Sequence, residues 1–93
     1  MAIKTFKHKG LKKFFYTGSK AGITPSHARK LALILDQLDA SHKATDMRYP
    51  GSDFHGLEGD LKGFYSVHVS GNWVVIFRFE GNNAYDIGYL DYH

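Results

Sequence analysis

The hydrophobic period of this 93-residue chain changes near residue 53, and this change limits the possible folds more than any other feature of the sequence. Before it, apolar residues recur every three or four positions, as they do on one face of an α-helix. After it, apolar and polar residues alternate, as they do on a half-buried β-strand. A helical half followed by a strand half predicts an α+β fold with the helices packed on one face of an antiparallel sheet.

The N-terminal half predicts one short strand and two helices. Residues 2–6 alternate weakly and suit a short strand, and the next stretch, "KHKGLKKFFYTGSKAG", has a helical apolar spacing that ends at its glycines. The second helix lies in "TPSHARKLALILDQLDASH", with Thr24 as the expected N-cap and Pro25 in the first turn. Its apolar stripe consists of Ala28, Leu31, Ile34, Leu35 and Leu38.

The C-terminal half predicts an antiparallel meander. Tyr65, Val67 and Val69 alternate with polar residues, and "SGN" and "EGNN" predict two tight turns. A second strand runs from Trp73, and a third leads to the final "LDYH". Because the helices cover one sheet face, we expect the other face to be exposed and to carry the functional site.

Composition removes several classes of protein. The chain has no cysteine, which excludes disulfides, zinc–thiolate sites and thiol nucleophiles. Its net charge of +3 permits a polyanionic partner without requiring one. The start is charged where a signal peptide is apolar, and the runs "LALIL" and "WVVIF" are far shorter than the roughly 20 residues that span a bilayer. We therefore expect a single domain over residues 1–93 that is cytoplasmic and has no membrane partner.

The six histidines are the main candidates for chemistry. None forms the i, i+4 helical pair with a carboxylate that marks a zinc hydrolase, so we expect neither a metal nor another cofactor. His27 and His42 flank the second helix and should face solvent, and His68 should be structural or at the surface. His55, in "FHGLEGD", and His93, after the last strand, could supply the base and the acid that metal-free RNA cleavage needs. The alternative is that both are simply solvated.

The first thirteen residues hold five lysines and predict a helix with a basic outer face. Such a face could contact the phosphates of RNA, although many lysine-rich surface helices are merely solvated. No nucleotide-binding loop of the P-loop or dinucleotide type is present.

Three stretches together, "FKHKGLKKFF", "PGSDFHGLEGDLKGFYSVHVSGNWVVIFRF" and the closing "DYH", resemble the HigB toxins, a branch of the RelE superfamily. The likeness runs from Phe6 to His93 and implies a RelE-like fold. It also implies the toxin of a type II toxin–antitoxin pair, which cuts mRNA in the ribosomal A site. The expected partners are the ribosome, its mRNA and a HigA-like helix-turn-helix antitoxin, with operator DNA contacted only through the antitoxin complex.

The resemblance also assigns candidate site residues. Those that match positions around the scissile phosphate in the family are His55, Asp91, Tyr92 and His93, and which of them is base and which acid stays open. Lys62 and Arg78 are predicted to hold phosphate as substitutes for cations that the family carries and this chain lacks. The residues predicted to contact the ribosome are Lys9, Lys12 and Lys13.

The chain departs from the family at three positions. Family members usually carry a lysine or arginine where this chain has Glu58, and arginines where it has Leu61 and Val74. These departures leave open a catalytically degenerate RelE-fold protein that only binds an antitoxin or regulates. Charge and aromatic content alone leave a third possibility, a small RNA-binding module with no toxin ancestry.

Overall fold

A computed structural model describes residues 1–92 as two helices followed by four antiparallel strands, which confirms the predicted α+β class. The strands lie side by side in chain order. The elements are α1 (Lys9–Thr17), α2 (Ala28–Asp39), β1 (His55–Gly56), β2 (Tyr65–Ser70), β3 (Trp73–Glu80) and β4 (Asn83–Asp91).

The predicted N-terminal strand is reduced to two single bridges, both parallel to β4. They join Ile3 to Ala84 and Phe6 to Ile87. The pairing is not continuous because β4 bulges between these bridges: Asp86 has a φ of 54°, and its N–H donates to the side-chain oxygen of Thr5 at 2.8 Å instead of to a backbone carbonyl.

Helix α1 has the predicted basic outer face. His8 precedes it as the N-cap, and Gly18 ends it in the left-handed conformation, with φ 78°. Leu11 is fully buried beneath the helix. The three lysines predicted to contact the ribosome, Lys9, Lys12 and Lys13, are all exposed.

Helix α2 begins later than predicted. Residues Pro25–His27 form a 3₁₀ turn, and the side chain of Thr24 makes no capping hydrogen bond, so the α-helix proper begins at Ala28. The predicted apolar stripe is confirmed, because Ala28, Leu31, Ile34, Leu35 and Leu38 are all buried. Neither α1 nor α2, the two α-helices within residues 1–92, has the length and apolar character to cross a membrane.

The inner sheet face forms the core with the helices, as the alternation predicted. Val67, Val75, Phe77 and Ile87 are fully buried there, in one cluster with the apolar side of both helices. Trp73 and Phe79, at the ends of the same alternating series, are partly buried against this cluster.

The outer sheet face is covered more than expected. Ser66 and Ile76 point away from the core but are only 1% and 3% exposed. The chain between β1 and β2 folds over them, closed by a hydrogen bond from the Leu57 N–H to the Phe64 carbonyl at 2.9 Å. It carries Leu61, which lies with Ile76 around one pocket. The prediction of an openly exposed face was therefore wrong for the centre of the sheet, because alternation does not show what a connecting loop will cover.

Gly10, in the first turn of α1, lies directly against Gly22 in the connection to α2. A Cβ atom added to Gly10 would lie 2.7 Å from the Gly22 Cα, and one added to Gly22 would lie 2.5 Å from the Gly10 Cα. We expect Gly10→Ala to lower the free energy of unfolding by about 1 to 3 kcal/mol, because the clash is with backbone. Urea denaturation would measure it.

Gly56→Ala provides the matched control for this substitution. A Cβ there would meet only the ring of Tyr65, at 3.8 Å, so we expect a change below about 1 kcal/mol. Equal stability losses in the two variants would contradict the close approach of Gly10 and Gly22.

Candidate active site

His55, on the edge strand β1, is held by two hydrogen bonds. Its Nδ1 lies 2.9 Å from the carbonyl oxygen of Asp53, and its Nε2 lies 3.4 Å from the hydroxyl of Ser66. A carbonyl only accepts, so Nδ1 carries a proton, and in the neutral ring Nε2 keeps its lone pair. Asp53 adopts a left-handed conformation, with φ 49°, in the turn that presents this carbonyl. The exposed imidazole of His55 is thus fixed in the form that can accept a proton at Nε2.

The opposite side of the site is the end of β4, and it is ordered as the sequence predicted. Asp91 is the last residue of β4 and pairs with Trp73. The N–H of Tyr92 donates to the carbonyl of Asn72 at 2.8 Å, which ties the C-terminal segment to the turn between β2 and β3. The side chain of Tyr92 is 40% exposed. The remaining candidate, His93, lies outside the described residues.

The two sides of the site share the outer sheet face, with two strands between them. Alternation places Leu90 beside Val74 on this face, Asp91 on the inner side and Tyr92 outward again. From β1 to β4 there are three interstrand spacings, which amount to roughly 14 Å. The structure therefore brings His55 and Tyr92 to one face but not into contact.

Arg78, predicted to hold phosphate, is engaged by two carboxylates. Its Nη1 lies 2.7 Å from Glu80, and its Nε lies 2.7 Å from Asp86. The hydrogen bond to Glu80 and then that to Asp86 raise the pKa of Arg78. The bulge at Asp86 explains the pairing, because it places this carboxylate beside Arg78 while the register of β3 and β4 shifts. The sequence offered no local sign of this bulge.

The loop between β1 and β2 carries the other residues of interest. Lys62 is exposed directly after the 3₁₀ turn Gly59–Leu61. Glu58 is exposed at the start of that turn, three residues after His55. Leu61 and Val74, the other two departures from the family, are half-buried. Within residues 1–92, no three histidine or acidic side chains are grouped closely enough to hold a metal ion.

The prediction that His27 faces solvent was wrong. It is 8% exposed, and its Nδ1 lies 2.6 Å from the hydroxyl of Tyr89. Its ring also packs against Trp73, with 5.7 Å between ring centroids. These partners lie on the distant strands β3 and β4, so the helical pattern around His27 contained no sign of them. His42 is exposed as predicted, and His68 has a structural hydrogen bond to the carbonyl of Gly71 at 3.0 Å.

His8, to which sequence analysis gave no role, caps helix α1 at the border of the outer face. Its Nδ1 accepts a hydrogen bond from the Leu11 N–H at 2.9 Å. Desolvation lowers the pKa of His8, although a backbone hydrogen bond opposes this shift. The position of His8 immediately before a helical pattern was a usable signal, because side chains that accept hydrogen bonds are common at N-caps.

The cap makes the stability of the fold depend on pH. The pKa of His8 is lower in the folded state than in the unfolded state. The contribution of neutral His8 to the free energy of unfolding is therefore complete above about pH 6.5, the unfolded pKa, and decreases as pH falls through the folded pKa. Protonation of Nδ1 removes the cap, and loss of an N-cap typically costs about 1 kcal/mol. We therefore expect acidification from pH 7.5 to 5 to lower the free energy of unfolding more in the wild type than in His8→Asn, since asparagine caps without titrating. Urea denaturation at the two pH values measures the change. An equal loss of unfolding free energy in the two proteins would contradict the role of His8 in this pH dependence.

Comparison with known proteins agrees with this α+β fold. Residues 4–93 match the family described as the RelE-like toxin HigB of type II toxin–antitoxin systems. The chain is 34% identical over 91 residues to Endoribonuclease HigB of Proteus vulgaris, covering 98% of this chain and 99% of that protein. It is 36% identical over 90 residues to Toxin HigB-1 of Vibrio cholerae, covering 95% and 94%.

The fold and the match across it define a RelE-like toxin. More specifically, the chain belongs to the HigB-like toxins of type II toxin–antitoxin systems, as the sequence resemblance predicted. Membership in this family implies an antitoxin partner.

Proposed function

We propose that this chain is an endoribonuclease toxin of one domain, residues 1–93, which cleaves mRNA on the ribosome in the cytoplasm and so inhibits translation. The observation that carries the proposal is the state of His55. Its Nδ1–H donates a hydrogen bond to the Asp53 carbonyl, which leaves Nε2 of the neutral ring as an acceptor on the outer sheet face. The name of the Proteus vulgaris relative, an endoribonuclease, supports the same activity.

The proposed reaction needs one base and one acid and uses no metal. The base takes the proton of a ribose 2′-hydroxyl, whose oxygen attacks the adjacent phosphorus, and the acid protonates the departing 5′-oxygen. His55 and His93 are the candidates for these two roles, and their assignment stays open. Asp91 would orient an imidazole, and Tyr92 would stack on a base or hydrogen-bond a phosphate.

Lys62 is the better candidate for holding the phosphate. It is exposed on the loop that follows His55, whereas both carboxylates that hold Arg78 would compete with RNA for its guanidinium. We keep Arg78 as a secondary candidate, because substrate could displace Glu80 at the surface. Glu58 adds negative charge near the site, which predicts slower cleavage than a lysine there would give.

The proposed partners follow from the family and the charged surface. A HigA-like helix-turn-helix antitoxin would neutralise the toxin, and operator DNA would be bound only through their complex. Exposed Lys9, Lys12 and Lys13 on α1 would contact ribosomal RNA. A degenerate protein that binds only the antitoxin is the second candidate, favoured specifically by Glu58 and by the paired state of Arg78.

Mapping mRNA cleavage by primer extension after brief induction, in cells that lack the antitoxin, tests the proposal. We expect cuts within translated codons from the intact chain and none from a chain truncated before Asp91 or from His93→Gln. Antitoxin binding by His93→Gln serves as the control for folding. No cuts from the soluble wild type would favour the degenerate protein, and full toxicity of His93→Gln would remove the terminal histidine from the site.

A further inference from the structure

A second feature of the outer sheet face is a pocket of about 250 Å³ beside the candidate active site. Its apolar lining includes Leu61, Ile76 and Leu90. Gly88 keeps it open, since a Cβ at this position would lie 3.0 Å from Ile76. Binding pockets for drug-sized ligands are usually about 300 to 1,000 Å³, so this one suits a smaller group.

The polar groups at the rim are hydrogen-bond donors. His8 accepts the Leu11 N–H at Nδ1, so its neutral ring carries the proton on Nε2. Lys7 is exposed and also lines the pocket, with its ammonium 5.3 Å from the centre of the Phe64 ring. The hydroxyl of Tyr89, which lies behind the pocket, is already paired with His27 at 2.6 Å. These groups suit a ligand with apolar faces, acceptor atoms on its edge and a nearby negative charge.

The pocket is also in line with His55. Gly88 pairs with Ile76, Ile76 with Ser66, and Ser66 with His55, in one row across the sheet. Ile76 is two interstrand spacings from His55, or roughly 10 Å. One RNA strand could therefore reach both the pocket and His55, on either side of the loop that covers Ser66.

We propose that this pocket binds one nucleobase of the substrate RNA. The base lies against Leu61 and Ile76, His8 donates from Nε2 to an acceptor on its edge, and Lys7 contacts the adjoining phosphate. Bases have apolar faces and acceptor-bearing edges, and this is the chemistry that apolar walls with a few donors recognise. The choice of RNA as the ligand rests on the proposed function. The lining and the donors of the pocket are observed independently of that function.

The test is NMR titration of the intact protein with adenosine, guanosine, cytidine and uridine 5′-monophosphates, followed through the methyl signals of Leu61, Ile76 and Leu90. Ribose 5-phosphate is the control that lacks a base. We expect at least one nucleotide to shift all three residues with saturation, and ribose 5-phosphate at the same concentration to leave them unchanged. Equal shifts from ribose 5-phosphate, or no shifts in these methyl groups from any nucleotide at 10 mM, would overturn the proposal.

Three variants locate the contacts. Lys7→Gln should weaken nucleotide binding about tenfold through loss of a charge-assisted hydrogen bond, while Lys20→Gln, the same change on an exposed loop outside the pocket, should leave it unchanged. His8→Asp retains an N-cap but replaces the donor by a carboxylate, so binding should fall by more than about tenfold. Equal affinities of the Lys7→Gln and Lys20→Gln variants would refute the assigned contacts.

The outcomes also separate this inference from the proposed function. Nucleotide binding by a protein that cuts no mRNA would retain the pocket and reject the nuclease. Cleavage of mRNA by a protein whose pocket binds no nucleotide would retain the nuclease and reject the pocket.

Discussion

Substitution of His55 by alanine should slow mRNA cleavage by about a hundred- to ten-thousandfold, the usual contribution of a positioned general base or acid. The tautomer supports this expectation, because the Asp53 carbonyl holds the Nδ1 proton and leaves Nε2 available. The contact between Nε2 and the Ser66 hydroxyl, at 3.4 Å, is long for a hydrogen bond, so a substrate hydroxyl could replace it. Primer extension in a purified translation system would give the rate.

Two control variants distinguish catalysis from structure. His42→Ala removes an exposed imidazole on the helical side and should leave the cleavage rate unchanged. Ser66→Ala removes only the weak contact and should change the rate by less than about threefold. A His55→Ala protein that folds, binds its antitoxin and cleaves at the wild-type rate would exclude His55 from the chemistry.

The sequence predicted those parts of the fold that depend on local patterns. The helical spacing of Leu31, Leu35 and Leu38 and the alternation of Val75 and Phe77 both correspond to buried faces in the structure. In each case the period of the element decides which side chains meet the core, and the period can be read from neighbouring residues alone.

The errors concern contacts between distant parts of the chain. His27 is buried because Tyr89, 62 residues away, supplies its hydrogen bond. Arg78 is paired because a bulge in β4 brings Asp86 beside it, and Ile76 is buried although alternation turns it away from the core. The position of a residue on a helix or strand therefore predicts which way its side chain faces. It does not predict which distant residue that side chain will contact.

The candidate site shows the same difference between local patterns and contacts across the chain. The resemblance assigned His55 and Tyr92 to one site, but the sequence did not predict strand β1, so the outward position of His55 and its spacing from Tyr92 depend on strand pairing. The tautomer of His55 could not be predicted either, because it depends on the backbone conformation of Asp53. The state of Arg78 matters most for mechanism, since it shifts the expected phosphate contact toward Lys62.

Replacing Glu58 by lysine should accelerate mRNA cleavage about ten- to a hundredfold. The resemblance to the family implies a cation at this position, and one donor aimed at the developing charge typically changes a rate by about a hundredfold or more. Glu58 is exposed and makes no side-chain cap for the turn Gly59–Leu61, so the substitution should not disturb the fold. Cleavage rates in the purified translation system would measure the gain.

A graded series identifies the cause of that gain. Glu58→Gln removes the negative charge without adding a donor, so its rate should lie between those of the wild type and Glu58→Lys. Asp36→Lys makes the same charge reversal on the exposed side of α2, away from the sheet, and should leave cleavage unchanged. If Asp36→Lys accelerated cleavage as much as Glu58→Lys, the gain would reflect general attraction to RNA. If Glu58→Lys cleaved no faster than the wild type, residue 58 would lie away from the reacting phosphate, and Lys62 alone would remain to hold it from this loop.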